Sequence, residues 1–320
     1  MLLEILMIIL GFILLICGAN LLIKGSVNIA KKFHIPEILI GLTIVALGTS
    51  APELIVTITS ASKGAGDLIL GNAIGSNLCN LLLILGLMAA LRPIKVEKEA
   101  KIIHIPVSFF VTLLVLLMGL GIFYGKRGII NKTDGIILII LSITYFLYPI
   151  IVEIKDIVKT YKQNKNNKTD DIKIWKSILF IVLGIVLLKY GGDFVVDYSI
   201  NIARMLNISE RVIGLTIVAI GTALPELVTS IFTVIKKDTD LAVGNLFGSC
   251  VLNLLLILGV GAIITPLTVS NEFIQNLLIL LGTNILIWLF CFTGKKNTIT
   301  RTNGATLLIL FSLYIYKLFL

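Results

Sequence analysis

The sequence predicts an all-α membrane protein: ten transmembrane helices arranged as two inverted five-helix repeats. Three observations lead there. Hydrophobic residues make up 57% of the 320 residues and charged residues only 14%, whereas a water-soluble domain keeps about 25% charged residues to hold its surface in water. Mean hydropathy is +1.04. Apolar runs long enough to cross a bilayer, roughly 20 residues each, recur about ten times along the chain. Finally, two stretches of the first half return in the second half at one fixed offset.

The runs lie near 2–24, 36–62, 67–91, 102–124, 133–152, 177–200, 209–235, 239–264, 272–293 and 303–320. The first reads as a span and not as a cleaved leader. It is too long, Glu4 stands where a leader is basic, and no small-x-small site follows. The formal net charge of +9 does not point to nucleic acid, because the basic residues sit between the runs, where they set orientation. The segment 153–176 carries Lys155, Lys159, Lys162, Lys165, Lys168, Lys173 and Lys176. With that segment cytoplasmic, the same side receives Lys31, Lys32, Arg92, Lys95, Lys98, Lys101, Lys236, Lys237, Lys295, Lys296 and Arg301. The other side holds only Lys63, Lys126, Arg127, Lys132, Arg204 and Arg211. The expectation is a multi-pass protein of the plasma (inner) membrane with both termini outside. Cys17, Cys79, Cys250 and Cys291 lie within spans without metal-binding spacing and read as small apolar filler. His34 and His104 fall at span edges and are assigned no chemistry.

Residues 40–54, IGLTIVALGTSAPEL, and 213–227, IGLTIVAIGTALPEL, are identical at 12 of 15 positions. GNAIGSNLCNLLLILG at 71–86 and GNLFGSCVLNLLLILG at 244–259 agree at 11 of 16. Both pairs share one offset, 226 − 53 = 253 − 80 = 173, and Gly18/Gly191, Asp67/Asp240 and Pro93/Pro266 keep it. The predicted organisation is a first repeat over 1–152, a cytoplasmic linker over 153–176 and a second repeat over 177–320. An odd number of spans per repeat inverts the second copy, and inverted repeats set substrate sites near the bilayer midplane at broken helices. The linker is too short for a folded regulatory domain, which leaves control to the transported ions.

Glu53 and Glu226 are the residues least at home in a membrane. Each lies mid-span in an apolar motif, where a carboxylate costs about 2.5–3.5 kcal/mol to insert. A buried base is the alternative explanation; Lys189 is the only one well inside a span, and Asp193 is the nearer counter-ion for it. Pro52 and Pro225 lack an N–H and displace the carbonyl four residues earlier, Gly48 and Gly221. Such carbonyls are tolerated in a membrane where they line a cavity or meet a ligand. The carbonyls of Ala46 and Ala219 are their neighbours, and Thr49, Ser50 and Thr222 add hydroxyls within a turn of the glutamates. Ser76 and Asn80 share one helix face by i, i+4 spacing, as do Ser249 and Asn253. Gly71, Gly75, Gly244 and Gly248 are expected to let neighbouring helices approach. Asn72 and Asn245 read as interhelical hydrogen-bonding residues, with further ligands as the alternative, and Asp67 and Asp240 as caps of their helices. Carboxylates, hydroxyls, carboxamides and carbonyls, with no His or thiolate among them, make an all-oxygen set for hard cations. No cofactor, nucleic acid or protein partner is implied; the partners are Na⁺, Ca²⁺ and the lipid bilayer.

The paired GTSAPE and GTALPE motifs, each followed by GNxxGS…N, resemble the two α-repeats of the Na⁺/Ca²⁺ exchanger family of the cation/Ca²⁺ antiporter superfamily, in its prokaryotic form. The resemblance implies ten spans in two inverted halves and a central ion cluster. Here that cluster is Glu53, Thr49, Ser50, Ser76, Asn80 and the Ala46 carbonyl, with Glu226, Thr222, Ser249, Asn253 and the Ala219 carbonyl. Two positions depart from the symmetric pattern: Ala223 stands opposite Ser50, and Asn253 stands where some relatives have Asp, which argues against K⁺ co-transport. The resemblance also implies that the first and sixth spans slide as a gating pair over the other eight, with Gly11, Gly18, Gly184 and Gly191 as a smooth packing face.

The function so implied is a secondary-active antiporter exchanging Na⁺ for Ca²⁺ by alternating access, not an enzyme. Exporting Ca²⁺ against ~10⁴ in concentration and ~100 mV requires about 10 kcal/mol, and each Na⁺ entering down ~10-fold and the same voltage supplies about 3.7, so three Na⁺ suffice. The alternatives are a Ca²⁺/H⁺ exchanger that protonates the same glutamates and a passive cation channel. An inverted duplication with broken helices suits alternating access better than a channel. An intramembrane enzyme lacks a nucleophile or metal triad beside the glutamates.

Overall fold

The computed structural model describes residues 2–33, 35, 37–122, 128–163, 173–206, 221, 223–293 and 297–318. They are almost wholly helical. In chain order come α1 (Leu2–Phe33), the helical turn Glu37–Ile40, α2 (Gly41–Thr49), α3 (Ala51–Ser62), α4 (Gly66–Leu91), α5 (Ala100–Gly119) and α6 (Lys132–Gln163). Then follow α7 (Ile174–Met205), α8 (Leu224–Ile235), α9 (Thr239–Ile264), α10 (Asn271–Thr293) and α11 (Arg301–Leu318). Six of these, α1, α4, α5, α7, α9 and α10, are long and apolar enough to cross a membrane, with a seventh crossing if α2 and α3 form one broken span. The chain is a helical membrane protein.

The helices fall on the apolar runs, and α1 and α6 outlast theirs. The first run was predicted to end at 24, yet α1 reaches Phe33; α6 continues to Gln163 through part of the segment expected as linker. No Pro or Gly interrupts 153–163, so nothing in the backbone stops the helix where the apolar run ends. Of the run at 209–235, only Gly221, Ala223 and α8 lie within the described residues.

The chain divides into two compact units, each drawn from both sequence halves: Met1–Thr49 with Tyr148–Asn245, and Ser50–Leu147 with Leu246–Leu320. The first unit is built on α1 and α7. On α1, the face Gly11, Leu15, Gly18, Leu22, Gly25 is buried, while Leu2, Leu6, Ile9, Ile13 and Ile16 are exposed. An apolar exposed face of this extent belongs in lipid and not in water. A Cβ placed on Gly11 would sit 2.9 Å from the Gly191 carbonyl oxygen, one on Gly18 2.9 Å from that of Gly184, and one on Gly25 2.6 Å from that of Ser177. Each pair sums to 202 and steps by seven residues. This is an antiparallel seam in which the two backbones touch once per two turns. The predicted smooth packing face is therefore spent on the pair itself: the four glycines face each other. Around the seam lies a core of Leu15, Leu22, Val45, Leu188, Leu224 and Leu241.

In the second unit, two antiparallel two-residue ladders tie the loops: Ile94 pairs with Ile299 and Lys95 with Thr298 (β1, Ile94–Lys95, with β4, Thr298–Ile299). Ile129 pairs with Thr268 and Ile130 with Leu267 (β2, Ile129–Ile130, with β3, Leu267–Thr268). Both ladders join one sequence half to the other. The close helix crossings do the same: a Cβ on Gly304 of α11 would meet the Gly86 oxygen of α4 at 2.7 Å, and one on Gly135 of α6 would meet the Gly259 oxygen of α9 at 2.7 Å. Gly86 and Gly259 are 173 residues apart, the repeat offset.

Burial differs between the helices. In the apolar windows of α4 and α9, 72% and 78% of residues are buried, against 22% in α1 and 28% in α7. The repeated GNxxGS motifs thus lie on the most enclosed helices.

Candidate functional site

The predicted site residues fall into two sets, one in each unit. Both begin from the same local device. At Ser50 the backbone leaves the helix with φ −86° and ψ 4°, and α3 starts at Ala51. At Ala223 the angles are −86° and 2°, and α8 starts at Leu224. Pro52 and Pro225 occupy the second helical position, where an N–H has no intrahelical acceptor anyway. The prolines therefore start helices and do not kink continuous ones. Glu53 and Glu226, expected in mid-span, sit at the third position of a fresh helix, where the positive end of the helix dipole favours a carboxylate. Neither break uses a side-chain cap. Ala223 makes the turn without a hydroxyl, so the hydroxyl of Ser50 is not needed for the turn.

In the first unit, Ala46 and Thr49 of α2 and Glu226 of α8 are buried, with Glu226 2% exposed, and α2 packs on α8. The Thr49 hydroxyl lies 3.1 Å from the Val45 carbonyl, 3.3 Å from that of Ala46 and 3.2 Å from Asn245 Oδ1. Asn245 Nδ2 donates to Ser230 Oγ at 3.2 Å. Ser230 stands one turn beyond Glu226 and shares its helix face. A hydroxyl–amide–hydroxyl chain thus ties α2, α9 and α8 beside the glutamate. The interhelical role expected of Asn245 holds. Asn245→Leu removes the amide that links the two hydroxyls, leaving Thr49 its backbone acceptors and taking from Ser230 the donor it accepts from, and should lower stability by about 1–2 kcal/mol. The measurement is the melting temperature of the ion-free protein, and an unchanged value would contradict the network.

In the second unit, Ser50, Glu53, Ser76, Asn80, Ser249 and Asn253 are all buried, with Glu53, Asn80 and Asn253 each 1% exposed. Helix α3, which carries Glu53, packs against α4 and against the turn of α9 that carries Asn253. Asn72 Nδ2 reaches the Glu53 carbonyl at 3.4 Å, the second expected interhelical bond. Asn80 and Asn253 lie in π-helical turns, Cys79–Ile84 of α4 and Asn253–Ile257 of α9. A π turn disturbs the regular hydrogen-bond ladder and is frequent at functional sites. Among the described residues, both amide atoms of Asn80, Ser249 Oγ and Asn253 Oδ1 are buried without a hydrogen-bond partner. Orphaned buried polar atoms call for a ligand or water, and oxygens in this number fit a hard cation. Among the described residues no group of three or more His, Cys, Asp or Glu gathers, so any cation held here relies on neutral oxygens beside the acids.

Ala219 and Thr222 lie outside the described residues. Several smaller expectations change. Asp67 and Asp240 are second in their helices and do not cap them; Asp238 Oδ1 accepts from the Leu241 N–H instead. Gly71 and Gly75 have nothing within 4 Å of an added Cβ, whereas a Cβ added to Gly41 would lie 3.1 Å from the Gly244 Cα. His104 is buried, 2% exposed, with Nδ1 3.0 Å from the Tyr145 hydroxyl, and is not an exposed interfacial residue; His34 lies outside the described residues. No disulfide joins the four cysteines. Lys189 pairs with Asp193 at 2.7 Å, as expected.

One site residue escaped the sequence reading. Asn77 donates through Nδ2 to the Cys250 carbonyl at 2.9 Å and accepts from Asn253 Nδ2 at 3.1 Å. Its signal was present: position 77 is matched at the repeat offset by Cys250, one of five mismatches in the motif and the one that sets a carboxamide opposite a thiol.

Residues 3–151 and 176–320 match the family described as Sodium/calcium exchanger protein. The chain is 33% identical over 333 residues to the putative antiporter CaxA of Alkalimonas amylolytica, covering 100% of this chain and 99% of that one. It is 30% identical over 349 residues to the sodium/calcium exchanger MaX1 of Methanosarcina acetivorans, covering 98% of each. Among solved structures, that of the sodium-calcium exchanger NCX_Mj, soaked with zero Na⁺ and Ca²⁺, superposes with a TM-score of 0.82 at 30% identity over 99% of both chains.

Proposed function

The chain belongs to the sodium/calcium exchanger family, and we propose that it exchanges Na⁺ for Ca²⁺ across the plasma (inner) membrane as a secondary-active antiporter. The observation that carries this reading is the pair of buried glutamates, each in the first turn of a helix that starts inside an apolar segment. Carboxylates held this way have an ionic task, and the oxygens around them are hydroxyls, carboxamides and carbonyls. The ligands are Glu53, Ser50, Ser76, Asn80, Ser249 and Asn253, with Glu226, Thr49, the Ala46 carbonyl, Thr222 and the Ala219 carbonyl. Ca²⁺ and Na⁺ compete for the same two carboxylates, and mutually exclusive occupancy couples their movements.

The architecture is ten spans in two inverted repeats, 1–152 and 177–320, joined by 153–176, with both termini outside. The reciprocal ladders and the paired glycine crossings at the repeat offset support it. The glycine seam supports α1 and α7 moving as one body during alternating access.

The test is Ca²⁺ uptake into Na⁺-loaded proteoliposomes diluted into Na⁺-free buffer, followed with ⁴⁵Ca²⁺. Uptake should require the outward Na⁺ gradient and be unchanged by a pH gradient of either sign. Uptake driven by a pH gradient alone would replace Na⁺ by H⁺ in this proposal. Flux with no counter-ion would replace exchange by a channel.

A further inference from the structure

We infer that Asn77 is a positioning residue: it turns the carboxamide of Asn253 so that oxygen, and not the NH₂ group, faces the transported cation. The inference rests on the proposed role of Asn253 as a ligand.

Hydrogen-bond chemistry carries it in two steps. The backbone carbonyl of Cys250 can only accept, so the Asn77 atom 2.9 Å from it must be the NH₂ nitrogen. That leaves Asn77 Oδ1, which can only accept, as the atom 3.1 Å from Asn253. Asn253 must then present its own NH₂ to Asn77, which directs its Oδ1 elsewhere. That oxygen is buried and has no hydrogen-bond partner among the described residues. A flipped Asn253 would press two oxygens together in a buried site and turn the positive end of the amide dipole outward. Two consecutive bonds, anchored on a backbone atom that cannot rotate, therefore select one of two amide orientations.

The repeat makes the device visible. The offset of 173 places Cys250 where the first half has Asn77, and Asn253 where it has Asn80. A thiol is a weak donor and weak acceptor and cannot relay this chain. Neither amide atom of Asn80 has a hydrogen-bond partner among the described residues. One carboxamide of the symmetric pair is thus fixed as an oxygen ligand, and its mate is left to rotate. The Asn77 relay is also matched to Asn at 253. An Asp there would face Asn77 Oδ1 with a second acceptor, and Asn77 would have to release Cys250 to answer it.

A double-mutant cycle tests this. Asn77→Leu removes the amide and keeps its volume. In Na⁺-loaded proteoliposomes the apparent KM for Ca²⁺ should rise about fivefold, the equivalent of one net hydrogen bond, with kcat little changed. The Ca²⁺-induced rise in melting temperature should shrink in parallel. In an Asn253→Asp background the ligand offers oxygen whichever way it turns, and Asn77 there either crowds the carboxylate with its oxygen or competes for it with its NH₂, so Asn77→Leu should leave the Ca²⁺ KM unchanged or lower it. An equal rise in both backgrounds would mean that Asn77 only packs, and no rise in the native background would also overturn the inference. If Asn77→Leu does not yield monodisperse protein, Asn77→Ala is read by the same cycle. Asn253→Ala separates the two layers. If it leaves the Ca²⁺ KM unchanged, the ligand assignment fails. If it raises KM while Asn77→Leu does not, only the positioning role fails.

Discussion

Glu53→Gln and Glu226→Gln each abolish Na⁺-coupled Ca²⁺ uptake while leaving the ion-free protein at least as stable as the parent. Both halves of this result follow from burial. Glu53 and Glu226 are 1% and 2% exposed, and removing one member of a buried charge interaction costs about 3–5 kcal/mol. With Ca²⁺ as the opposite charge, that is roughly two to three and a half decades in apparent affinity. Without Ca²⁺ the sign reverses, because a buried carboxylate is itself costly and glutamine keeps its shape without the charge. Ca²⁺ should then raise the melting temperature of the parent and not of either variant. A variant that loses transport and also melts early without ions would point to a structural glutamate. A variant that exchanges normally would remove that residue from the site. Because Glu53 and Glu226 head equivalent helices, the two losses should be of similar size, and the difference between them measures how far Ser50 and Ala223 unbalance the halves.

Gly184→Leu should cost about 3 kcal/mol, at the upper end of overpacking losses, and deplete the folded protein. An added Cβ at Gly184 lies 2.6 Å from the Leu22 nitrogen and 2.9 Å from the Gly18 oxygen, both backbone atoms that cannot rotate aside. Gly18→Leu meets the reciprocal obstruction at the Gly184 oxygen, 2.9 Å away. The internal control is Gly192 on the same helix, where nothing lies within 4 Å; Gly192→Ala should be neutral or stabilise by up to about 1 kcal/mol through helix propensity. Melting curves and the monodisperse fraction in detergent are the readouts. Equal behaviour of Gly184→Leu and Gly192→Leu would show that the seam does not hold the pair. In the proposed exchange, a seam whose backbones interlock every seven residues would carry α1 and α7 as one body.

The helical membrane class, the placement of most helices and the burial of the two glutamates were legible in the sequence. Apolar run length and a forbidden charge are one-dimensional signals, and lipid leaves a chain few alternatives to helix. Likewise, Lys189 finds Asp193 because i, i+4 spacing is local.

Tertiary contact decided what the pattern could not express. The glycines of α1 and α7 read equally well as a face toward any neighbour; only the antiparallel register, with each pair summing to 202, assigns them to each other. The prolines looked like kinks, and only the backbone break at Ser50 and Ala223 makes them helix starts. The π turns at Asn80 and Asn253 leave no mark in composition, because one extra residue in a turn shifts hydrogen bonds without changing hydropathy. Which way the Asn253 amide faces is the furthest from the sequence. It depends on a carbonyl at Cys250, 173 residues from the Asn77 that reads it, and a backbone atom of that kind is the same in every sequence.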